Sequence, residues 1–389
     1  MRMTLSLIKA DVGSIGGHTQ PSEDMMTAVR DRIHGAVRDG TLIDSYVCYT
    51  GDDIAVLMSH TRGEDNPEIH ELAWNAFLEA TEKARRDGLY GAGQDLLADA
   101  PSGNVRGAGP AVAEIEFEHS LEKPRPAESF MVFAADKAGP GAYNLPFYLG
   151  FADPMYCPGL MLPKMIQGFT FRIIDMERTD GDYAVELNAP EDAYQLAALL
   201  RDNERFAIER ITSRTYNDAA AAISAQRLHS IAGEYTGKDD PVAIVRTQNI
   251  FPAPEEILSP YTTAHYVAGD ARGSHHMPLM PISINSAVAG PYCLPLVSAV
   301  AYSVNDEGEL SERVDVFGNE VWDETRRKAQ QKADEIRRQG FVGPAMLPMQ
   351  ELEYSSFRDT LERLEGQFQR VDGAKPERAA VSGGMDEVD

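Results

Sequence analysis

The sequence predicts a mixed α/β fold of the α+β kind, in one domain. Three observations carry this reading. Residues 112–120, "VAEIEFEHS", alternate strictly between apolar and polar, as a half-buried strand does. Residues 22–39 and 66–87 instead repeat their apolar positions at helical spacing. Strand-like and helical runs interleave, and several neighbouring strands look antiparallel.

The elements follow in order. Residues 3–10 alternate and then run apolar, as a first strand. The helix over 22–39 has Ser22 as N-cap and Gly40 as its stop. "SYVCYTGDD" (45–53) and "IAVLMSH" (54–60) read as strand, turn, strand. The helix over 66–87 ends at Gly88. After the strand over 112–120, the Pro-rich "EKPRPAE" leads to a strand over 129–137. Residues 138–168 are rich in Gly and Pro and read as an ordered functional loop. One strand and one helix are expected up to about residue 202, then a strand over 205–212. "DAAAAISAQRLHSIAG" (218–233) reads as a helix and "PVAIVRTQ" as a strand. Two late helices are expected over 323–339 and 357–370. Residues 371–389 are polar and Gly/Pro-rich, a disordered acidic tail after a catalytic domain spanning 1–370.

Composition narrows the function. At 389 residues, 43% hydrophobic and 25% charged, the chain is of ordinary globular type. It has no apolar run of roughly 18 residues, so no membrane span is expected. Lys9 and Asp11 interrupt the N-terminus too early for a signal peptide. Cys48, Cys157 and Cys293 form neither a zinc pattern nor a disulfide framework, which points to a reducing cytoplasm. A formal charge of −25 argues against nucleic acid or anionic membrane as partners. A phosphorylated ligand would then need local Arg and Lys or bound cations. With 27 Arg against 9 Lys, each lysine is informative.

Acidic residues recur at strand ends. "LSLIKAD" ends at Asp11, "YVCYTGDD" at Asp52 and Asp53, and "FMVFAADK" at Asp136 and Lys137, while Asp239 and Asp240 precede the strand near 241–248. Asp and Gly end strands anyway as turn formers, so any one of these is ordinary. Four together, with "GSIGGH" just after Asp11, point to a cation site. The donors are oxygens: Asp11, Asp52, Asp53, Asp136, Asp239, Asp240 and Gln94 of "GAGQDLL", with His18 as one nitrogen. Such a thiol-free set suits several Mg²⁺ ions. Phosphate holders are sought in Gly103 and Asn104 of "PSGNVRG", Arg272 of "ARGSHH" and Lys137. Neither G-x-G-x-x-G nor a P-loop pattern is present.

"GEYTGKDDPV" (233–242) adds a second chemistry. If cations neutralise Asp239 and Asp240, Lys238 can lose its proton and attack a carbonyl to form a Schiff base. Tyr235, three residues earlier, is placed to move a proton.

These stretches resemble the bifunctional fructose-1,6-bisphosphate aldolase/phosphatase family of archaea and deep-branching bacteria. The blocks that carry the resemblance are "IKADVGSIGGH", "GDDIAVLMSHTRGE", "IHELAWNAF", "LYGAGQDLL", "SGNVRGAGP", "ADKAGPGAYNLP", "FADP", "GEYTGKDDPV", "RGSHHMPLMP" and "LEYSS", across about residues 1–370. The resemblance implies metal ligands at Asp11, His18, Asp52, Asp53, Gln94, Asp136, Asp239 and Asp240. It implies Asp11 as base for the attacking water, Lys238 as the imine lysine and Tyr235 as the aldol acid/base. Substrate contacts would fall on His18, Tyr90, Gln94, Gly103, Asn104, Lys137, Gln248, Arg272 and Tyr354. It further implies a compact layered α/β/β/α sandwich and a homo-octamer. The gluconeogenic reaction would join dihydroxyacetone phosphate to glyceraldehyde 3-phosphate, then remove the 1-phosphate of fructose 1,6-bisphosphate to leave fructose 6-phosphate. One departure is Ala289 in "SAVAGPY", where the family pattern has an aspartate that contacts the sugar. Two other readings stand beside this one: a monofunctional Mg²⁺-dependent sugar phosphatase, and a non-catalytic metal and sugar-phosphate binder.

Overall fold

Two stacked sheets, each with helices on its outer face, make four layers in the order α/β/β/α. The computed structural model describes residues 2–96, 109–118, 128–178, 181, 183–224, 238–269, 276–288, 294–338 and 356–370. The first sheet uses β1 (Arg2–Ala10), β2 (Asp44–Thr50), β3 (Asp53–His60) and β4 (Ala111–Glu118), in the order β2-β3-β1-β4, all antiparallel. Helices α1 (Glu23–Arg38) and α2 (Pro67–Arg86) cover its outer face. Their ends obey the local signals. The Ser22 side chain accepts the Met25 N–H, Asn66 accepts from Glu68 and Ile69, and Gly40 and Gly88 take positive φ just past the last turns.

The second sheet holds β5 (Glu128–Asp136), β6 (Phe169–Asp175), β7 (Tyr183–Ala189), β8 (Phe206–Ser213), β9 (Ala219–Ile223) and β10 (Val242–Thr247). Short strands β11 (Tyr266–Val267) and β12 (Met277–Pro278) pair with each other, and β13 (Met280–Pro281) runs parallel to β14 (Leu296–Val304). With β15 (Val314–Asp315) and β16 (Gln369–Arg370), the second sheet runs β13-β14-β5-β10-β9-β8-β6-β7-β16, with β15 on β14. Its outer face is covered by α3 (Asn144–Ala152), α4 (Ala193–Leu200), α5 (Pro254–Leu258) and neighbouring segments. Helices α6 (Asp323–Arg338) and α7 (Ser356–Leu364) complete the described chain.

Strand parity assigns each side chain to a layer. In β1, Met3, Leu5 and Leu7 enter the core between the sheets, while Ile8 and Ala10 face the helices. In β5, Phe130, Val132 and Ala134 face the first sheet, and Met131, Phe133 and Ala135 face outward to α3. Among the described residues no helix is long and apolar enough to cross a membrane.

Four expectations need correction. Residues 219–223, expected as helix, form β9, paired with β8 on one side and β10 on the other. Alanine's helix preference is worth only a few tenths of a kcal/mol per residue, and ladder bonds on both edges outweigh it. The rest of that expected helix lies outside the described residues. Residues 138–168 are not all loop, because α3 runs through them with Phe147 and Phe151 buried. It is apolar nearly all round, so it lacks the one-sided stripe that announces a surface helix. Asn144 at its start donates to the Leu200 and Phe206 carbonyls and accepts the Ile208 N–H, tying the helix to β8. Residues 169–202 hold two strands rather than one before α4. The last expected helix, 357–370, ends at Leu364 and gives way to a 3-10 turn and β16. The proposed tail, 371–389, lies outside the described residues.

Candidate active site

The same end of both sheets gathers the carboxylates. β1 ends at Ala10 beside Ile54 of β3, so Asp11 comes next to the Asp52–Asp53 turn. β10 is antiparallel to β5, with Val242 opposite Ala134, so Asp239 and Asp240 arrive beside Asp136. Asp53 and Asp136 share the parity of Ala55 and Ala134, which face the space between the sheets. Gly51 allows the approach: a Cβ there would lie 1.7 Å from Asp136 Oδ2, and its φ is +60°.

Ligand atoms of Asp11, His18 and Asp52 lie within 4.8 Å of one another, as do those of Asp52, Asp53 and Asp136. Asp52 belongs to both groups. Three buried lysines meet these aspartates. Lys9 pairs with Asp53 Oδ2. Lys137 pairs with Asp52 Oδ1 and, at 2.7 Å, with Asp136 Oδ1. Lys238 lies 2.6 Å from Asp239 Oδ1 and 3.6 Å from Asp95 Oδ1. Among the described residues these are the buried lysines. His18 Nδ1 stands 3.2 Å from Asp52 Oδ2, and its ring meets Tyr90 edge-on at 4.8 Å. Asp11 Oδ1 accepts the Gly13 N–H, and the Asp11 N–H donates to Asp95 Oδ2.

Two strained backbone positions lie here too. Lys137 has φ +60° and Asp240 φ +50°, the left-handed region that non-glycine residues seldom occupy. The two segments hold each other: the Asp240 N–H donates to the Ala138 carbonyl, and the Ala138 N–H donates to Asp240 Oδ1.

The electrostatics follow from burial among like charges. Burial first, then Asp52 and Asp53, hold the Asp11 carboxyl well above its usual range. Burial does the same to Asp136. It pushes Asp95 up to about 7 against the opposing pull of Lys238, and Asp240 up to about 7 with help from Asp53 and Asp239. Asp52 goes the other way. Burial would raise it, but the hydrogen bond from His18 and the Lys137 ammonium hold it well below the ordinary range. For Lys137, burial opposes the charge, and Asp136 and Asp52 outweigh it, raising the ammonium well above its ordinary value.

The residues present fit a divalent hard cation. Asp53 Oδ1 and Asp136 Oδ2 are fully buried and have no hydrogen-bond partner among the described residues. Buried carboxylate oxygens are seldom left this way unless an ion meets them. The remaining donors are carboxylates and one imidazole, and neither described thiol, Cys48 or Cys157, belongs to the two groups.

Other expected site residues are placed as follows. Gln94 opens a 3-10 turn directly before Asp95, and Tyr90 is bonded through its backbone to Ser14 in the loop after Asp11. Gln248 is not brought to the cluster within this chain. It is exposed at the far end of β10, roughly 20 Å along the strand from Asp240. Tyr235, Gly103, Asn104, Arg272, Ala289 and Tyr354 lie outside the described residues. Sequence reasoning missed Lys9 and Asp95. A lysine inside the apolar run "LSLIKAD" was the signal for the first, since an unpaired buried ammonium is not tolerated. Asp95 gave no pattern beyond its place after Gln94.

Layers, strand-end carboxylates and buried lysines together define the class: an α/β/β/α protein with an acidic, cation-ready centre between its sheets. The family model described as fructose-1,6-bisphosphatase matches residues 2–369, and the chain belongs to that family. Curated relatives named fructose-1,6-bisphosphate aldolase/phosphatase are similar over nearly their whole length. One from Thermus thermophilus is 56% identical, covering 95% of this chain and all of the relative. Others from Cenarchaeum symbiosum and Methanocaldococcus jannaschii are 47% and 45% identical, covering 95% and 96% of this chain and 95% and 94% of themselves.

Proposed function

We propose that this chain is a gluconeogenic enzyme with two activities at one centre. It joins dihydroxyacetone phosphate to glyceraldehyde 3-phosphate through an imine on Lys238. It then hydrolyses the 1-phosphate of fructose 1,6-bisphosphate to leave fructose 6-phosphate. The observation that carries this reading is the meeting of unpartnered Asp53 and Asp136 oxygens with a second acidic pair beside buried Lys238.

In this reading Asp11, His18, Asp52, Asp53, Gln94, Asp136, Asp239 and Asp240 hold Mg²⁺ ions. When bound, such ions polarise the phosphoryl group and acidify water. Asp11 accepts the proton of the attacking water. Lys238 must first leave its ion pair with Asp239 and lose a proton. Its Nζ then bonds to the ketone carbon, the carbonyl oxygen leaves as water, and an iminium remains. Tyr235 removes and returns the proton at the neighbouring carbon. Gly103, Asn104, Lys137, Arg272 and Tyr354, with Tyr90, hold the phosphates and sugar. Residues 1–370 form the catalytic unit, copies assemble as an octamer, and the buried free thiols of Cys48 and Cys157 suit a reducing cytoplasm.

A monofunctional phosphatase is the second reading, favoured by the engagement of Lys238 with both Asp239 and Asp95. The deciding experiment is borohydride reduction in the presence of dihydroxyacetone phosphate, followed by peptide mass spectrometry. An adduct on Lys238 supports the two-activity reading. No adduct on any lysine leaves hydrolysis alone, and an adduct on Lys137 overturns the role given to Lys238. Excess chelator should abolish hydrolysis of fructose 1,6-bisphosphate, and undiminished release of phosphate would remove the metals from the mechanism.

A further inference from the structure

Lys9 has no role in the chemistry above, yet it is placed at its centre. It is 2% exposed and lies on β1 with the parity of Leu5 and Leu7. That parity aims it into the space between the sheets, where Asp53 and Asp136 also point. Among the described residues its ammonium pairs with Asp53 Oδ2 alone, and Asp53 Oδ1 is left buried and unpartnered. Asp240 and Asp136 are close enough to feel its charge. Lys137 shows the same arrangement across the cluster, holding Asp136 Oδ1 while Asp136 Oδ2 is left bare. Each lysine thus occupies one oxygen of a carboxylate and leaves the other open.

We propose that Lys9 is a resident counter-cation of the centre, a positioning residue that holds Asp53 by one oxygen, presents the other to a divalent cation, and by its fixed charge limits how strongly that cation is bound. This rests on reading the site as a Mg²⁺ centre. The physical reasons are two. Several buried carboxylates at close range repel one another, so a fixed positive charge keeps the metal-free fold intact. The same charge repels an incoming dication, so removing it should strengthen Mg²⁺ binding even as the metal-free protein weakens. A residue needed only for packing or shape has the opposite signature, because damage to the pocket loosens Mg²⁺.

The test uses Lys9→Met, which keeps length and removes charge, in the full chain. Isothermal calorimetry with Mg²⁺ alone and thermal melting with and without Mg²⁺ are measured on wild type and variant. The expected result is a Mg²⁺ midpoint lower by at least about threefold, with a lower metal-free melting temperature and a wider gap between metal-free and loaded melts. A folded Lys9→Met with unchanged or weaker Mg²⁺ binding overturns the proposal. If Lys9→Met alone does not fold without metal, the double variant Lys9→Met/Asp53→Asn decides. Removing both charges should restore folding, and a double variant no more stable than the single one overturns the proposal. Wild type that binds no Mg²⁺ in the calorimeter would instead sink the metal-centre reading itself, so the two failures are distinguishable.

Discussion

Two buried polar clusters share strands β1 and β3, and they are built on opposite rules. One is the carboxylate–lysine centre between the sheets. The other lies between the first sheet and α2, where Ser6 joins His60, Glu114 and His70. Ser6 Oγ stands 2.8 Å from His60 Nε2 and donates to Glu114 Oε1, and His70 Nε2 lies 3.2 Å from the same oxygen. The Arg62 N–H donates to His60 Nδ1, and the Asp65 N–H to Glu114 Oε2. No buried side-chain polar atom of these four residues lacks a partner. The first centre, by contrast, leaves oxygens of Asp53 and Asp136 bare. A closed network specifies the fold, whereas an open one is held ready for a ligand.

The difference can be broken from either side. Lys238→Arg keeps a positive charge but cannot form an imine, so condensation should fall by at least about 1,000-fold, the scale of losing a covalent catalyst. Hydrolysis should stay within about tenfold of wild type, since no proposed metal ligand is removed. Assaying both reactions on one preparation checks this, and equal losses would merge the two chemistries. Asp53→Ala and Asp136→Ala should each lower Mg²⁺-dependent hydrolysis by at least about 100-fold. Losses under tenfold in folded protein would make the open centre merely structural.

Glu114→Ala should do the reverse. It strips partners from Ser6, His70 and the Asp65 N–H, so it should lower unfolding free energy by about 3 kcal/mol. Hydrolysis below its melting range should not change. Denaturant unfolding and phosphate release separate the two effects, and lost activity in folded protein would join the clusters. The smallest effect expected is the pH response. Burial holds His60 down at about 4 from an ordinary 6.5, against the pull of Glu114. A depressed histidine stabilises the fold above the unfolded value and loses that contribution as pH falls through the folded one. The contribution of His60, read as the difference in stability between wild type and His60→Gln, should therefore drop by about 2 kcal/mol between pH 6.5 and 4. His60→Gln should flatten the pH slope, and an unchanged slope would assign it to other groups.

Read alone, the sequence determined what local chemistry can determine. Ser22 caps a helix where its side chain reaches a free N–H group, and "VAEIEFEHS" alternates because one face of β4 is buried. Acidic residues at strand ends announced a cation site because no single turn needs so many carboxylates. What tertiary structure decided was everything set by a partner far along the chain. Four alanines became β9 because β8 and β10 offered ladder bonds on both sides, which no local preference could foretell. Gln248 was carried to the other end of β10 from the acidic pair because a strand is straight. Which carboxylate oxygens are bare, and which are held by Lys9 and Lys137, depends on atoms brought together across both sheets. Sequence spacing measures distance along the backbone, while burial and charge pairing act through space, and that is why the donors could be read in advance but not their free oxygens.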